Sequence, residues 1–323
     1  LRHMNEKKIE KMEEQEKKRQ EKEEKQAQQS ANSEKREGEE QKKKTEAEDM
    51  RLVEKNGVPY FVFKNLENTG LVRHGFSTRL GGVSEGFLSS MNLSFTRGDD
   101  PEKVRENFRR MGTAIGFETK DLVLSDQTHT ANVRRVTEAD RGKGFDKEKD
   151  YTDTDGLITN VPGLMLVTIY ADCVPLYFVD PVHKAIGLSH SGWKGTVHRM
   201  GKVTLERMAE EFGTRPEDVQ AAIGPSICQD CYEVSEDVIL EFQKAFEEKY
   251  WEKLFYKKKN GKYQLELWEA NHIIFLKAGI KEEHISMPGI CTCCNPEFLF
   301  SHRASHGTVS YTHLRAHETS QDL

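Results

Sequence analysis

Two apolar runs dominate the hydrophobic pattern, residues 164–170 (LMLVTIY) and 185–188 (AIGL), and both read as buried strands. The first is followed at once by Ala171-Asp172-Cys173 and the second by Ser189-His190-Ser191-Gly192. Shorter strand patterns are read at 60–63, 72–77, 122–124, 132–136 and 219–223. A helix is expected from Pro101 to about Ile115, because Asp100 suits the N-cap, Pro101 the first turn and Gly116 the stop. Val197, Met200, Val203, Leu205, Met208 and Phe212 lie on one side of a helix read over 196–212. Further helices are read at 236–248, opened by Ser235, and at 268–278, ended by Gly279.

Residues 1–50 break this pattern. They hold 14 Lys/Arg and 15 Asp/Glu and no apolar stripe that could dock a helix. They read as a charged low-complexity tail, disordered or an exposed helix. Met4 and Met50 are both candidate starts. The tail also explains a mean hydropathy of -0.74 in a chain whose remainder has ordinary globular composition. The organisation expected is therefore a tail at 1–50, one catalytic domain at 51–308, and a segment at 309–323 that resembles a translated sequencing adapter. His313 and His317 in that last segment, although spaced i,i+4, are set aside for this reason.

A net charge of -6 argues against a general nucleic-acid binder. No run of about 18 apolar residues predicts a membrane span, and no apolar leader core precedes the domain. The expected location is cytoplasmic, where the six cysteines would be thiols or metal ligands rather than disulfides.

Cys173 and His190 each follow an apolar run, at the place where sheets often bind ligands. Two chemistries fit them. One is a Cys/His nucleophile pair. The other is a metal held by His129, Cys173 and His190, with one position open to water. His129 favours the metal, because it too follows an apolar strand and has polar neighbours in Gln127-Thr128. With one thiolate the zinc site keeps a net charge of about +1 and still acidifies a bound water. The Ser189–Thr196 stretch is polar and Gly-rich and leads into a helix, so Lys194 is a candidate anion contact. Cys228-x-x-Cys231 and Cys291-x-Cys293-Cys294 lie about 60 residues apart and depart from zinc-ribbon spacing. They are read as buried or incidental thiols, with structural zinc or redox work as the alternative.

Several ordered motifs carry a resemblance. They include TRLGGVS at 78–84, NLS at 92–94, QTH at 127–129, ADCVP at 171–175, HSGWKG at 190–195, IGPSI at 223–227 and CYEV at 231–234. Over about residues 56–308 the chain resembles the laccase-domain family, also called the multicopper polyphenol oxidase, peptidoglycan editing factor or purine nucleoside phosphorylase family. The resemblance implies an α/β fold, a mixed α+β sandwich with the layering of Cys/His hydrolases. It implies a Zn2+ site on His129, Cys173 and His190, which would be both metal ligands and catalytic residues. It implies phosphorolysis of adenosine, inosine, guanosine and methylthioadenosine, and deamination of adenosine, with purine nucleosides and phosphate as the small-molecule partners. Arg79, Asn92, Ser94 and Lys194 are the expected substrate contacts, and Asp172 and His74 the candidate proton carriers. No nucleic-acid or membrane partner is expected, and the chain is expected to be a monomer or homodimer. The family continues with an Arg-rich segment and a final strand where this chain, after Ser301-His302-Arg303, turns adapter-like. Copper is the lesser metal candidate, because multicopper oxidation needs several His-rich sites. The functional alternatives are a cell-wall precursor editing amidase and a metal-free Cys/His hydrolase.

Overall fold

The structure, a computed structural model, describes residues 49–307. The readings of a tail over 1–48 and of an adapter-like segment, with His313 and His317, lie outside the described residues. Met50, assigned to the tail above, already belongs to the first strand.

In chain order the first elements are β1 (Met50–Lys55), β2 (Val58–Phe63), α1 (Lys64–Asn68), β3 (Phe76–Ser77) and α2 (Pro101–Ile115). There follow β4 (Leu122–Leu124), β5 (Val133–Arg135), β6 (Gly156–Thr159), β7 (Met165–Val167), β8 (Val174–Asp180) and β9 (Ala185–Ser191). The remainder is α3 (Trp193–Val197), α4 (Met200–Phe212), β10 (Gln220–Ile223), β11 (Glu233–Val234), α5 (Glu236–Ala245), α6 (Trp251–Leu254), β12 (Phe255–Lys257), β13 (Tyr263–Leu265), α7 (Leu267–Lys277) and β14 (Ile285–Ser286). The fold is mixed α/β.

A six-stranded mixed sheet in the order β14-β10-β8-β9-β6-β5 forms the centre. All seven residues of β8 are buried, and they divide between two layers with the period of two that a pleated strand imposes. Val174, Leu176 and Phe178 enter the core shared with Met200, Leu205 and Met208 of α4 and Phe275 of α7. Tyr177 and Val179 pack with Phe61 and Phe63 of β2 and Leu66 of α1. Burying one such side chain contributes about 1.5–3 kcal/mol, and β8 supplies both cores at once. A three-stranded sheet, β1-β2-β3, carries the second layer, and the short parallel pair β4-β7 lies under α2 through Val104, Phe108 and Phe145.

Three local expectations change. The strand expected over 164–170 is only β7, and Cys173 does not follow it but immediately precedes β8. The helix expected over 196–212 is two helices, because Arg199 takes a left-handed conformation (φ +58) that breaks the hydrogen-bonded run. Ser235 takes the N-cap position of α5 as expected, but its hydroxyl turns to the Asp237 carboxylate and makes no capping bond to a helix amide. By contrast the α2 signals hold: Asp100 accepts from the Glu102 amide at 2.9 Å, and Gly116 ends the helix at φ +97. No helix among the described residues is long and apolar enough to cross a membrane.

His74 is not placed as a proton carrier. Its Nε2 accepts the Phe63 amide at 2.8 Å, and its ring stacks on Phe63. Burial lowers its pKa from 6.5 to about 4. A histidine with a depressed native pKa contributes stability that is present above pH 6.5 and lost as the pH falls toward 4, because the unfolded chain takes the proton first. His74→Gln keeps an acceptor for Phe63 and removes the proton site. The loss of urea midpoint between about pH 7 and about pH 4.5 should therefore be smaller in His74→Gln than in the parent protein. An equal loss in both would show that this buried ring does not set the acid sensitivity.

Candidate metal centre

β8 and β9 run antiparallel, with Val174 opposite Ser191 and Pro175 opposite His190. The start of one strand therefore meets the end of the other. Cys173, one residue before β8, comes to His190, near the end of β9, by this register and not by two parallel strand ends. His129 arrives from the loop between β4 and β5. The ligand atoms of His129, Cys173 and His190 all lie within 4.8 Å of one another, and Cys173 Sγ is 3.7 Å from His129 Nε2.

The residue that orders them belongs to none of the motifs singled out in the sequence. Asp155 precedes β6 and is fully buried. Its Oδ1 accepts from His190 Nδ1 at 2.8 Å and from the His129 amide at 3.0 Å. Its Oδ2 accepts from the amides of Thr128 at 3.1 Å and Thr130 at 2.9 Å, and from the Thr130 hydroxyl at 2.8 Å. One carboxylate thus wraps the QTH loop and orients the His190 ring. Gln127 fastens the other side of that loop, donating to the Ile169 carbonyl and accepting the Ile169 amide, both at 2.7 Å. These bonds hold His129 in a left-handed conformation, φ +63, that costs a non-glycine residue on the order of 1 kcal/mol or more.

Charge follows the same geometry. Burial opposes a charged His190, but the Cys173 sulfur and Asp155 outweigh it and push the ring up to about 9. Burial also opposes the Asp155 anion, and the bonds from His190 and the Thr130 and Thr128 amides nevertheless hold its pKa below the usual value. A cation in reach of His190 Nε2 would take the place of that proton. A His donating its Nδ1–H to a carboxylate presents Nε2 to a metal, the common outer arrangement of zinc sites. Two imidazoles and one thiolate, close together and leaving a side open, fit a single borderline-soft ion. Among the described residues this is the only cluster containing histidine that is close enough to hold a metal.

Gly192 closes the back of the site. A Cβ there would stand 3.0 Å from both Cys173 Sγ and the His129 ring. Asp172, before Cys173, is strained at φ +96, and its carboxylate is already used: Thr292 Oγ1 donates at 2.7 Å and the Arg303 amide at 2.7 Å. It serves position rather than proton transfer.

The expected substrate contacts divide. Arg79 spends its guanidinium on the carbonyls of Ser89 (2.8 Å), Pro296 (2.6 Å) and Phe87 (3.2 Å) and lies over the Phe300 ring, so it clasps two segments instead of offering its fork to phosphate. Ser94 and Asn92 bond each other and belong to a buried network with Asp99, in which Asn107 of α2 holds the Asn92 carbonyl at 2.8 Å. Asn92 also lines a cavity of about 130 Å³ together with Phe76, Tyr170, Tyr177, Leu188 and Phe300. The candidate ligands His129, Cys173 and His190 do not line it, but Tyr170 connects it to them, its ring 5.6 Å from that of His190. A larger cavity of about 690 Å³ near Val72, Pro162 and His183 touches neither the ligands nor Tyr170. Lys194 is exposed, its ammonium 5.7 Å from the Trp193 ring, on a helix of five residues.

Residues 73–312 match the family model described as multi-copper polyphenol oxidoreductase laccase. The chain belongs to that family. A purine nucleoside phosphorylase, YlmD, of Bacillus subtilis (strain 168) is 36% identical over 242 residues, 75% of this chain and 86% of the relative. An adenosine deaminase, RL5, from an unknown prokaryotic organism is 33% identical over 230 residues, 71% of this chain and 87% of the relative. The crystal structure of the Bacillus licheniformis hypothetical protein YfiH superposes with a TM-score of 0.74 at 33% identity, covering 80% of this chain and 95% of that one. The laccase-family fold is therefore shared across the described domain.

Asp155→Asn should reduce metal affinity about 10- to 100-fold, because the amide can neither accept all five bonds nor hold the His190 tautomer. Competition with a chromophoric chelator measures it. Unchanged affinity in a folded Asp155→Asn protein would remove the carboxylate from the site's design.

Proposed function

We propose that this chain is a zinc-dependent purine nucleoside enzyme. It would act as a phosphorylase on adenosine, inosine, guanosine and S-methyl-5′-thioadenosine, and as a deaminase on adenosine. The observation that carries the reading is the closeness of His129, Cys173 and His190, with Asp155 fixing His190, beside an aromatic-walled cavity. The relatives' names, purine nucleoside phosphorylase and adenosine deaminase, support the substrate class. Zinc is favoured over copper because multicopper oxidation needs several histidine-rich sites, whereas the described residues form one cluster with two histidines.

His129, Cys173 and His190 would hold the ion, which when bound supplies Lewis acidity at an open position. The chain's own groups do the rest. Asp155 keeps the Nδ1 proton on His190 and aims Nε2 inward. Phe76, Tyr170 and Phe300 offer faces on which a flat purine can lie, and Asn92 lines the same cavity. Lys194, an exposed cation, would be the contact for phosphate. In phosphorolysis a phosphate oxygen bonds C1′ of the ribose as the bond from C1′ to the purine nitrogen breaks, and the purine leaves with a proton. In deamination water replaces the 6-amino group, which leaves as ammonia.

The 3.7 Å contact between Cys173 Sγ and His129 Nε2 also suits a metal-free thiol hydrolase, the second reading, of which an amidase editing a cell-wall precursor would be one form. Purified protein incubated with adenosine, with and without phosphate, separates them by chromatography. Adenine is expected with phosphate and inosine or hypoxanthine through deamination. Cys173→Ala should lose both products together with the zinc at this site. Full adenosine turnover by that variant would sink the single-centre proposal, and thiol alkylation indifferent to chelators would favour the hydrolase.

A further inference from the structure

A second sulfur cluster lies outside this centre. Cys228 and Cys231 flank the turn after β10, and Cys291 and Cys294 flank a turn after β14. Written this way the pairs are two C-x-x-C motifs, the second obscured in the sequence by Cys293. The four sulfurs lie within 4.8 Å of one another. Cys294 Sγ is 3.4 Å from Cys231 Sγ and 3.9 Å from Cys228 Sγ. A tetrahedron with metal–sulfur bonds of about 2.3 Å has edges of about 3.8 Å, so these separations are those of thiolates around one ion. Backbone amides already point at the sulfur of Cys291, from Cys228 at 3.2 Å and Cys294 at 3.4 Å. Such bonds offset the negative charge that four thiolates carry around a divalent cation. All six cysteines are free thiols, so none of the four is committed to a disulfide.

We propose that Cys228, Cys231, Cys291 and Cys294 form a second, structural Zn2+ site. Four thiolates close the coordination sphere and leave no position for substrate. What the site ties together gives it a purpose. Ile227, next to Cys228, donates its amide to the Asp172 carbonyl at 3.0 Å, and Thr292, next to Cys291, donates to the Asp172 carboxylate at 2.7 Å. Ser226 and Cys291 form a parallel bridge, and the Thr292 amide bonds the Ser226 carbonyl at 3.1 Å. Arg303 donates its amide to Asp172 at 2.7 Å and its guanidinium to the Cys231 carbonyl at 3.3 Å. A metal holding the two knuckles together thus holds Ile227 and Thr292, two of the three partners of Asp172, the strained residue that precedes Cys173.

Metal analysis of the full chain, kept reduced and loaded with zinc, tests this. Two zinc ions per chain are expected. Cys173→Ala should retain one, and its Co2+-substituted form should show the intense bands of tetrahedral cobalt, with sulfur charge-transfer absorption about four times that of a one-thiolate site. Cys293→Ala should retain both ions. Cys228→Ser/Cys231→Ser should lose one ion and melt at lower temperature than the parent. If that double variant does not fold, the Cys173→Ala protein still decides through its single remaining ion. No zinc in Cys173→Ala, iron in place of zinc, or a disulfide within the four cysteines of the reduced, loaded protein would overturn the proposal.

Discussion

The buried carboxylate of Asp155 is the constraint on which the first centre depends. It sits between a loop and a strand that have no backbone pairing with each other at that point, and it accepts from both. Without it, three loop amides, the Thr130 hydroxyl and one buried imidazole N–H would lose their acceptor, and a group left unpaired in the interior costs about 1–3 kcal/mol. A buried charge is itself expensive, and removing one partner of such a pair costs about 3–5 kcal/mol. The carboxylate is tolerated because every lone pair facing the loop and the ring is used. The same bonds decide chemistry, since the nitrogen of His190 that faces Asp155 is the one that does not face a metal.

The sheet supplies the other half of the construction. Antiparallel pairing of β8 and β9 puts the residue before one strand beside the residue near the end of the other, whatever the loop between them. β8 is locked in place because its alternate side chains anchor two different cores. A slip of one residue would exchange those faces and carry Cys173 away from His190. The position of the thiol is therefore enforced by packing on Phe178 and Tyr177, several residues away.

His129, Cys173 and His190 were legible in the sequence because each interrupts or follows an apolar run with a polar, chemically able side chain. α2 was legible because its cap, first-turn proline and terminal glycine are local signals. What stayed hidden depends on tertiary contacts. Asp155 looks like any turn aspartate until the loop that it gathers is seen. β8 carries a proline at its second position, and its continuous apolar character has no helix or strand period to separate it from its surroundings. The break at Arg199 leaves the apolar spacing of 197–212 intact, so periodicity cannot report it. Arg79 lies in a Gly-rich loop as a phosphate contact would, but its three carbonyl partners come from two segments, one of them more than 200 residues away.

Asp172 is where the two sulfur-bearing regions meet. Its backbone is strained, and its two carboxylate oxygens are bound by Thr292 and Arg303, which lie far along the chain. Strain of this kind persists only when the surroundings over-determine it. Here the surroundings are the cysteine knuckles at 228–231 and 291–294 and the segment that follows them. The local cost at Asp172 is thus met by contacts whose own rigidity comes from a different part of the fold. A thiol placed by such an arrangement can be held at fixed distance from two imidazoles without any direct bond to the elements that hold it there, which is what a preorganised metal site requires.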